Sequence, residues 1–151
     1  FSEDMLNLSM DVQQINDKAR PYYDKDTVAA KSQDKALSVL YGIKTSPFWY
    51  RNYYLDAPMK IYSNGDTAYK TSERTVAQTL KWFNAKHIVT GHTIVADTIS
   101  VHFGNRLINT DVRHAYGRIE ALLIESNAFY RVNEKAERKL LIRDEESGNK
   151  K

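Results

Sequence analysis

The sequence predicts one domain of the α+β or layered α/β class, in which helices come first and a mainly antiparallel sheet follows. Two observations indicate this order. Up to about residue 84, apolar side chains recur at the three- and four-residue spacing of amphipathic helices. From residue 87 onward, short β-branched runs alternate with Gly-Asn and Ser-Asn turn pairs. Helices in one half and strands in the other are typical of a layered domain built around one core.

Composition narrows the classes of function. The chain has 151 residues, of which 42% are hydrophobic and 27% charged, as in an ordinary globular domain. The net charge is +3 with Lys and Arg dispersed, so no nucleic-acid partner is expected. No apolar run approaches the roughly 18 residues of a membrane-spanning helix, so no membrane insertion is expected. The absence of cysteine excludes disulfides, Cys-ligated zinc and a thiol nucleophile. We expect a soluble protein whose compartment is unknown, because a targeting segment could precede Phe1.

Three helices are predicted in the first part of the chain, each from a capping residue and a periodic apolar face. Between the second and third helices, residues 43–70 are expected to be irregular, with an Asn64-Gly65 turn. The first helix follows Ser9 as its N-cap and ends at about residue 20. The second spans 27–41, with Gly42 as its C-cap. The third follows Thr71 or Ser72 as its N-cap and ends at about residue 84.

The second part predicts strands. Residues 87–90 form a buried strand, and turns are expected at Gly104-Asn105 and Ser126-Asn127. The charged residues 143–151 predict a flexible tail. The further strands are expected at 99–103, 107–111, 119–125, 129–132 and 139–142.

The strand at 87–90 leads directly into Gly91-His92-Thr93. The glycine is expected to let the backbone turn sharply, so that His92 projects over the end of the strand. Ligands bind at this end of the strands in open α/β sheets, and a neutral imidazole is a common metal ligand. A lone histidine is more often structural, since one ligand does not make a metal site.

An ordered set of segments carries a family resemblance. The chain resembles the C-terminal half of the calcineurin-like metallophosphoesterases, and within them it is most similar to the Shewanella-like bacterial protein phosphatases. The similarity covers about residues 5–142. The shared segments are 8–16, Trp49-Tyr50-Arg51 after Ser46-Pro47, Ile88-Val89-Thr90-Gly91-His92-Thr93, Asn105-Arg106-Leu107-Ile108, Asp111, and Gly117 before Ala121-Leu122-Leu123-Ile124-Glu125.

The resemblance implies a fold and an activity. Residues 1–142 would form the C-terminal portion of an αββα metallophosphatase sandwich, supplying one sheet and one helical layer. The parent protein would hydrolyse a phosphomonoester, with phosphorylated Ser, Thr or Tyr as the substrate class. Two divalent metal ions, manganese, iron or zinc, would activate a bridging water.

The resemblance also implies site residues. His92 would be a ligand of one metal, and Arg51 would bind the substrate phosphate, because a planar guanidinium matches two phosphate oxygens at once. The alternative for Arg51 is a solvated side chain packed on core aromatics. The cleft is expected to be lined by Trp49, Tyr50, Asp111 and His114.

Several of the family's metal-binding blocks do not occur in this chain. Asp-x-His, Gly-Asp-x-x-Asp-Arg and Gly-Asn-His-Glu are absent from the sequence, and we expect them before Phe1. Gly65-Asp66 and Gly104-Asn105 are interpreted as turns instead. The sequence departs from the family at Asn52 and at Val112-Arg113-His114. The 151-residue chain alone is therefore expected to hold no metal tightly and to be inactive.

Two other classes of function stay open. The chain could be a non-catalytic module that binds phosphate or phosphopeptides, or a structural module that oligomerises. We expect self-association or pairing with a missing N-terminal half, because half of a sandwich leaves an apolar face. Metal content and phosphate binding would discriminate among these classes.

Overall fold

The computed structural model describes residues 3–42, 44–60 and 67–145. The chain forms two compact units, Phe1–Ala85 and Lys86–Lys151, and each is described by itself. The first unit is mainly helical and the second consists of strands, as the order of the sequence pattern predicts. The expectation that residues 1–142 form one phosphoesterase domain stays a prediction.

The described residues of the first unit form five helices and a two-stranded antiparallel ribbon. Three 3₁₀ turns, Arg20–Tyr22, Pro47–Trp49 and Asn52–Tyr54, occupy parts of its loops. The helices are α1 (Glu3–Asn7), α2 (Val12–Ala19), α3 (Asp26–Ala30), α4 (Lys35–Tyr41) and α5 (Glu73–Trp82), and the ribbon strands are β1 (Met59–Lys60) and β2 (Thr67–Ala68).

One apolar cluster holds the short helices together. None of α1 to α4 exceeds eight residues, so packing rather than helix propensity stabilises them. Partly buried side chains, among them Phe83 after α5, pack against the cluster. Its buried members are Met5, Ile15, Ala19, Ala29, Leu37, Val39, Leu40 and Tyr41.

Helix α2 begins later than predicted. Its N-cap is Asp11, whose Oδ1 accepts from the Gln14 N–H at 2.8 Å, while the Asp11 N–H donates to Gln14 Oε1 at 2.9 Å. This reciprocal capping box satisfies two donors at once. Ser9 is not the cap, because its backbone is left-handed with φ +53°.

The helix predicted over 27–41 is two helices. Asp34 breaks the segment, since its carboxylate accepts from the N–H groups of Ala36 and Leu37 and caps α4. Lys18 also pairs with Asp34 and, with those backbone donors, holds its pKa below the ordinary value. Gly42 follows α4 but is not left-handed, with φ −65°. A Cβ there would lie 2.7 Å from the Ser38 carbonyl oxygen, so the close approach of the backbone requires the glycine.

Helix α5 matches its prediction. The Ser72 side chain accepts from the Thr75 N–H at 3.1 Å and forms the N-cap. Val76 and Leu80 are buried, as the periodicity predicts. The turns expected at Asn64-Gly65 and Gly65-Asp66 lie outside the described residues.

Residues 86–145 of the second unit form two three-stranded sheets. In the first sheet, β5 lies in the centre, parallel to β3 and antiparallel to β4. In the second, β6, β7 and β8 form an antiparallel meander. The strands are β3 (Ile88–Thr90), β4 (Ser100–His102), β5 (Leu107–Asn109), β6 (Glu120–Glu125), β7 (Ala128–Asn133) and β8 (Arg138–Arg143).

The two sheets share one core, so this unit is a small sandwich rather than the single sheet we expected. The strand at 88–90 is also less buried than predicted, because Val89 is 50% exposed. The core cluster combines Ile99, Ile108 and Val112 from the first sheet and its flanks with Phe129 and Ile142 from the second.

Both predicted turns are confirmed. Ser126 and Asn127 are left-handed, with φ +48° and +60°, as a two-residue hairpin turn requires. Gly104 and Asn105 are also left-handed. Strand β8 extends through Arg143, one residue into the predicted tail, and residues 146–151 lie outside the described part. No helix among the described residues has the length and apolarity to cross a membrane.

Candidate functional site

Two chain segments leave the first sheet side by side. Thr90 at the end of β3 pairs with Asn109 at the end of the parallel strand β5. The pairing continues one residue further, because the N–H and the Oγ1 of Thr110 each donate to the carbonyl oxygen of Thr90 at 2.9 Å. The segment after β3 carries His92, and the segment after β5 carries Asp111. Parallel strands therefore bring both segments to one edge of the sheet.

His92 has a strained backbone at this edge. Its φ is +61°, a left-handed value that is uncommon for a residue with a side chain. The sharp turn was expected at Gly91, but Gly91 is not left-handed, so the turn lies one residue later. The His92 side chain is exposed. Strain of this kind concentrates at functional sites, where the surrounding structure must maintain it.

Asn109 is the buried residue that joins the two segments. Its side chain is fully buried, and its Nδ2 donates to the Thr93 carbonyl oxygen at 2.9 Å. Its Oδ1 accepts from the Asp111 N–H at 2.8 Å. The loop that contains His92 and the backbone of Asp111 are thus fixed to the same amide.

Asp111 and His114 lie on the segment that follows β5. Asp111 is half-buried, whereas His114 is exposed and begins a 3₁₀ turn, His114–Tyr116. That turn ends at Gly117, whose φ of +82° favours glycine. Arg113 Nε donates to Asp97 Oδ1 at 2.7 Å, which links this segment to the one after β3.

The side chains at this edge do not form the ligand set of a metal centre by themselves. Across 3–42, 44–60 and 67–145, no three His, Asp or Glu side chains are grouped as metal ligands. A two-metal site needs several imidazoles and carboxylates in fixed geometry. The described residues therefore do not fit a binuclear centre by themselves, because His92 would supply only one of the ligands that such a centre needs.

The predicted phosphate-binding residue lies in the first unit. Arg51 is exposed, between Tyr50 and Asn52, and both neighbours are tied to Thr71. The hydroxyls of Tyr50 and Thr71 are 2.7 Å apart, and the Thr71 N–H donates to the Asn52 carbonyl oxygen at 2.9 Å. Thr71 directly precedes the N-cap of α5, so a helix start supports the loop that presents the guanidinium.

The aromatic residues around Arg51 have two roles. Tyr53 is 4% exposed and belongs to the core, and its ring contacts the half-buried Tyr50 ring edge to face, with 4.9 Å between the centroids. Burial, with the neighbouring tyrosines, raises the pKa of Tyr53. Trp49 is half-exposed, which is compatible with lining a cleft. Arg51 and His92 belong to different units, so the structure describes the two predicted binding residues separately.

Sequence reasoning did not identify the residues that fix these segments. Asn109 follows the apolar pair Leu107-Ile108, and a polar residue continuing such a run was the available signal. Thr71 was predicted only as a possible cap. Its pairing with a tyrosine 21 residues away leaves no local pattern.

Comparisons with known proteins give a structural relationship and no family assignment. No protein-family model matches the sequence, and no curated protein matches it. Among solved structures, the chain is similar to cold-active protein tyrosine phosphatases, one of them from a psychrophilic Shewanella.

The agreement extends over most of the chain. One such enzyme matches with a TM-score of 0.71 at 25% identity over 95% of this chain. A mutant form matches with a TM-score of 0.73, and the Shewanella enzyme with 0.71, each at 25% identity over 94% of this chain. The chain spans 38% of the length of each of these structures. The predicted link to Shewanella-like phosphatases is confirmed at the level of structure.

Proposed function

We propose that this chain is the phosphate-recognising part of a protein phosphatase that acts on phosphomonoesters, with phosphotyrosine as the favoured substrate. The observation that carries this proposal is the similarity to cold-active protein tyrosine phosphatases over 94–95% of the chain. The arrangement of Arg51 and of His92 supports it. Both are exposed, and both lie on loops fixed by hydrogen bonds to a neighbouring element.

Arg51 would bind the phosphate. Its guanidinium can donate two parallel hydrogen bonds to two phosphoryl oxygens, and these bonds strengthen as charge develops in the transition state. The contacts of Tyr50 and Asn52 with Thr71 limit the movement of the loop. Such preorganisation reduces the entropy lost when the phosphate binds.

His92 would present its imidazole at the end of β3 to the same substrate class. An imidazole there can accept or donate a proton or ligate a metal. Metal-dependent hydrolysis with manganese, iron or zinc stays a prediction, whose further ligands would come from outside the described residues.

The test compares two forms of the protein, the 151-residue chain alone and the protein as its gene encodes it. We expect the gene-encoded protein to hydrolyse p-nitrophenyl phosphate and a phosphotyrosine peptide, and chelation to abolish the activity. His92→Ala should lower its metal content. The chain alone should show no turnover above background but should bind inorganic phosphate through Arg51. A gene-encoded protein without phosphatase activity would reject the proposal.

The alternative functions predict other outcomes of the same measurements. A non-catalytic module would bind phosphate or phosphopeptide in both forms and hydrolyse neither. A structural module would bind neither and would self-associate, through exposed apolar side chains such as Val89, Ile94 and Val95. Sedimentation of the chain alone measures that association, and a compact monomer at high concentration would exclude it.

A further inference from the structure

A histidine outside the candidate site lies between the two sheets of the second unit. His87 immediately precedes β3, and its side chain is 13% exposed. Its Nδ1 is 2.9 Å from the carbonyl oxygen of Asn105, in the turn between β4 and β5. Its Nε2 is 2.9 Å from Oδ1 of Asp144, the residue after β8, which is 18% exposed.

Both partners of this ring are acceptors. A backbone carbonyl can only accept a hydrogen bond, and so can an ionised carboxylate. A neutral imidazole has one N–H and one bare nitrogen, so it would place a lone pair against one of these oxygens. Two donors require the imidazolium form. A catalytic histidine keeps one ring nitrogen available for the substrate, whereas both ring nitrogens of His87 are hydrogen-bonded within the protein.

The charge state of Asp144 supports a contact in which both ring nitrogens of His87 donate. Burial would raise the pKa of its carboxyl, but hydrogen bonds and charge from His87 and Lys86 outweigh burial and hold the pKa below its ordinary value. Lys86 Nζ is 3.4 Å from Asp144 Oδ2. The carboxyl is therefore an anion at neutral pH, and it accepts the second hydrogen bond.

Further described groups lie around the ring. The ring of Phe129 on β7 lies edge-on to the imidazole at 4.5 Å and carries no charge. An open cavity of about 350 Å³ adjoins the pair. Its charged lining residues besides the pair are Lys86 before β3, Arg106 in the β4–β5 turn, Arg143 on β8 and Glu145 after it.

The contacts of His87 join elements of both sheets. His87 and Asn105 belong to the edge of the first sheet. Asp144 belongs to the second, and its N–H donates to the Asn127 carbonyl oxygen in the β6–β7 turn at 2.9 Å. We propose that His87 forms a pH-dependent contact between the two sheets of this sandwich. The contact holds the sheets together while both ring nitrogens carry a proton.

The direction of the pH dependence follows from linkage. The geometry requires two donors, so removing one ring proton at higher pH would leave a lone pair against one of the two acceptors, and the contact would weaken as the pH rises. The lowered pKa of Asp144 acts in the opposite sense. Its contribution is present above the ordinary value of 3.8 and is lost as the pH falls further. The contact between the sheets is therefore stronger in mildly acidic than in alkaline solution.

The first test measures the ring directly in the 151-residue chain. Nitrogen-15 NMR of the histidine side chains at about pH 6 should show both nitrogens of His87 protonated. His114, exposed at the start of the His114–Tyr116 turn, is the reference within the same molecule. A single neutral tautomer of His87 at about pH 6 would overturn the proposal.

The second test measures stability. Urea unfolding between about pH 6 and pH 9 should show the wild-type unfolding equilibrium constant rising with pH. His87→Gln removes the ring, so its unfolding constant should depend less on pH, while His114→Gln, at an exposed histidine, should keep the wild-type slope. Asp144→Asn introduces an amide that can donate as well as accept, so a neutral ring is also satisfied and the slope should again decrease. Equal slopes in wild type and His87→Gln would contradict the proposal, and the NMR measurement decides the matter if a variant does not fold.

Discussion

Asn109 donates a hydrogen bond from its buried Nδ2 to the carbonyl oxygen of Thr93, at 2.9 Å. The same amide accepts from the Asp111 N–H through Oδ1. The bond to Thr93 fixes the position of the loop that contains the left-handed His92. Asn109 is thus a positioning residue for both segments of this edge, although it is itself fully buried.

Replacing Asn109 tests this role. Asn109→Leu leaves the Thr93 carbonyl and the Asp111 N–H without partners, so we expect a loss of about 1–3 kcal/mol in the free energy of unfolding. Asn109→Asp keeps the acceptor for Asp111 and removes the donor to Thr93. Its amide exchange should therefore accelerate at residues 92–94 but not at Asp111. Asn105→Asp, the same change at an exposed turn, is the control. Equal exchange in Asn109→Asp and wild type would show that the bond does not restrain the loop.

The accuracy of the sequence predictions depended on the range of the interactions. Patterns that span only a few residues correctly predicted helix α5, with Ser72 as its N-cap, and the Ser126-Asn127 turn. The helix predicted over 27–41 was wrong because Asp34 competes locally for the N–H groups that the helix would use. Its pairing with Lys18, from a different helix, adds a contact that no local pattern contains.

The candidate site was predictable only in part for the same reason. The sequence indicated the segments that carry Arg51 and His92, because glycine, tryptophan and a strand end mark them. It could not show that Asn109 or Thr71 fixes these loops, since those contacts connect residues 16 and 21 positions apart. The contact of His87 with Asp144 spans 57 positions.

The hydroxyl contact between Tyr50 and Thr71 should stabilise the loop that carries Arg51. Tyr50→Phe and Thr71→Val each remove one hydroxyl with little change of shape. We expect each to lower the free energy of unfolding by about 0.5–1.5 kcal/mol, and the double variant to cost clearly less than the sum. Urea unfolding of the four proteins measures the coupling. Strict additivity would mean that the two hydroxyls do not interact in solution.

The left-handed backbone of His92 should reduce stability, which a pair of variants can measure. His92→Gly and His92→Ala both remove the imidazole, but only glycine adopts φ +61° without strain. We expect the glycine variant to be more stable than the alanine variant by about 1 kcal/mol, the usual cost of a left-handed side-chain residue. The same substitutions at Trp82, in the last turn of α5, provide the control, because there glycine should be the less stable of the two. If glycine were no better than alanine at position 92, the backbone would not be held left-handed.

The last prediction concerns Arg51 in the gene-encoded protein. Arg51→Lys keeps the positive charge but loses the fork that can bind two phosphoryl oxygens. If the guanidinium contact strengthens in the transition state, kcat/KM should fall by about 10–10³-fold, or roughly 1.4–4 kcal/mol. Inhibition by inorganic phosphate should weaken in parallel, because the product makes the same contact. Arg74→Lys, an exposed change on α5, should leave both quantities unchanged.

Two features of the structure make this substitution informative. Arg51 is exposed, and the bonds that fix its loop belong to Tyr50, Asn52 and Thr71. Arg51→Lys should therefore leave the unfolding free energy within about 0.5 kcal/mol of wild type, as for most surface changes. A fall in kcat/KM at constant stability would then report a lost phosphate contact rather than a damaged loop. Unchanged kinetics and unchanged phosphate inhibition would identify Arg51 as a solvated neighbour of the Tyr50–Tyr53 core, and the phosphate would have to be bound elsewhere.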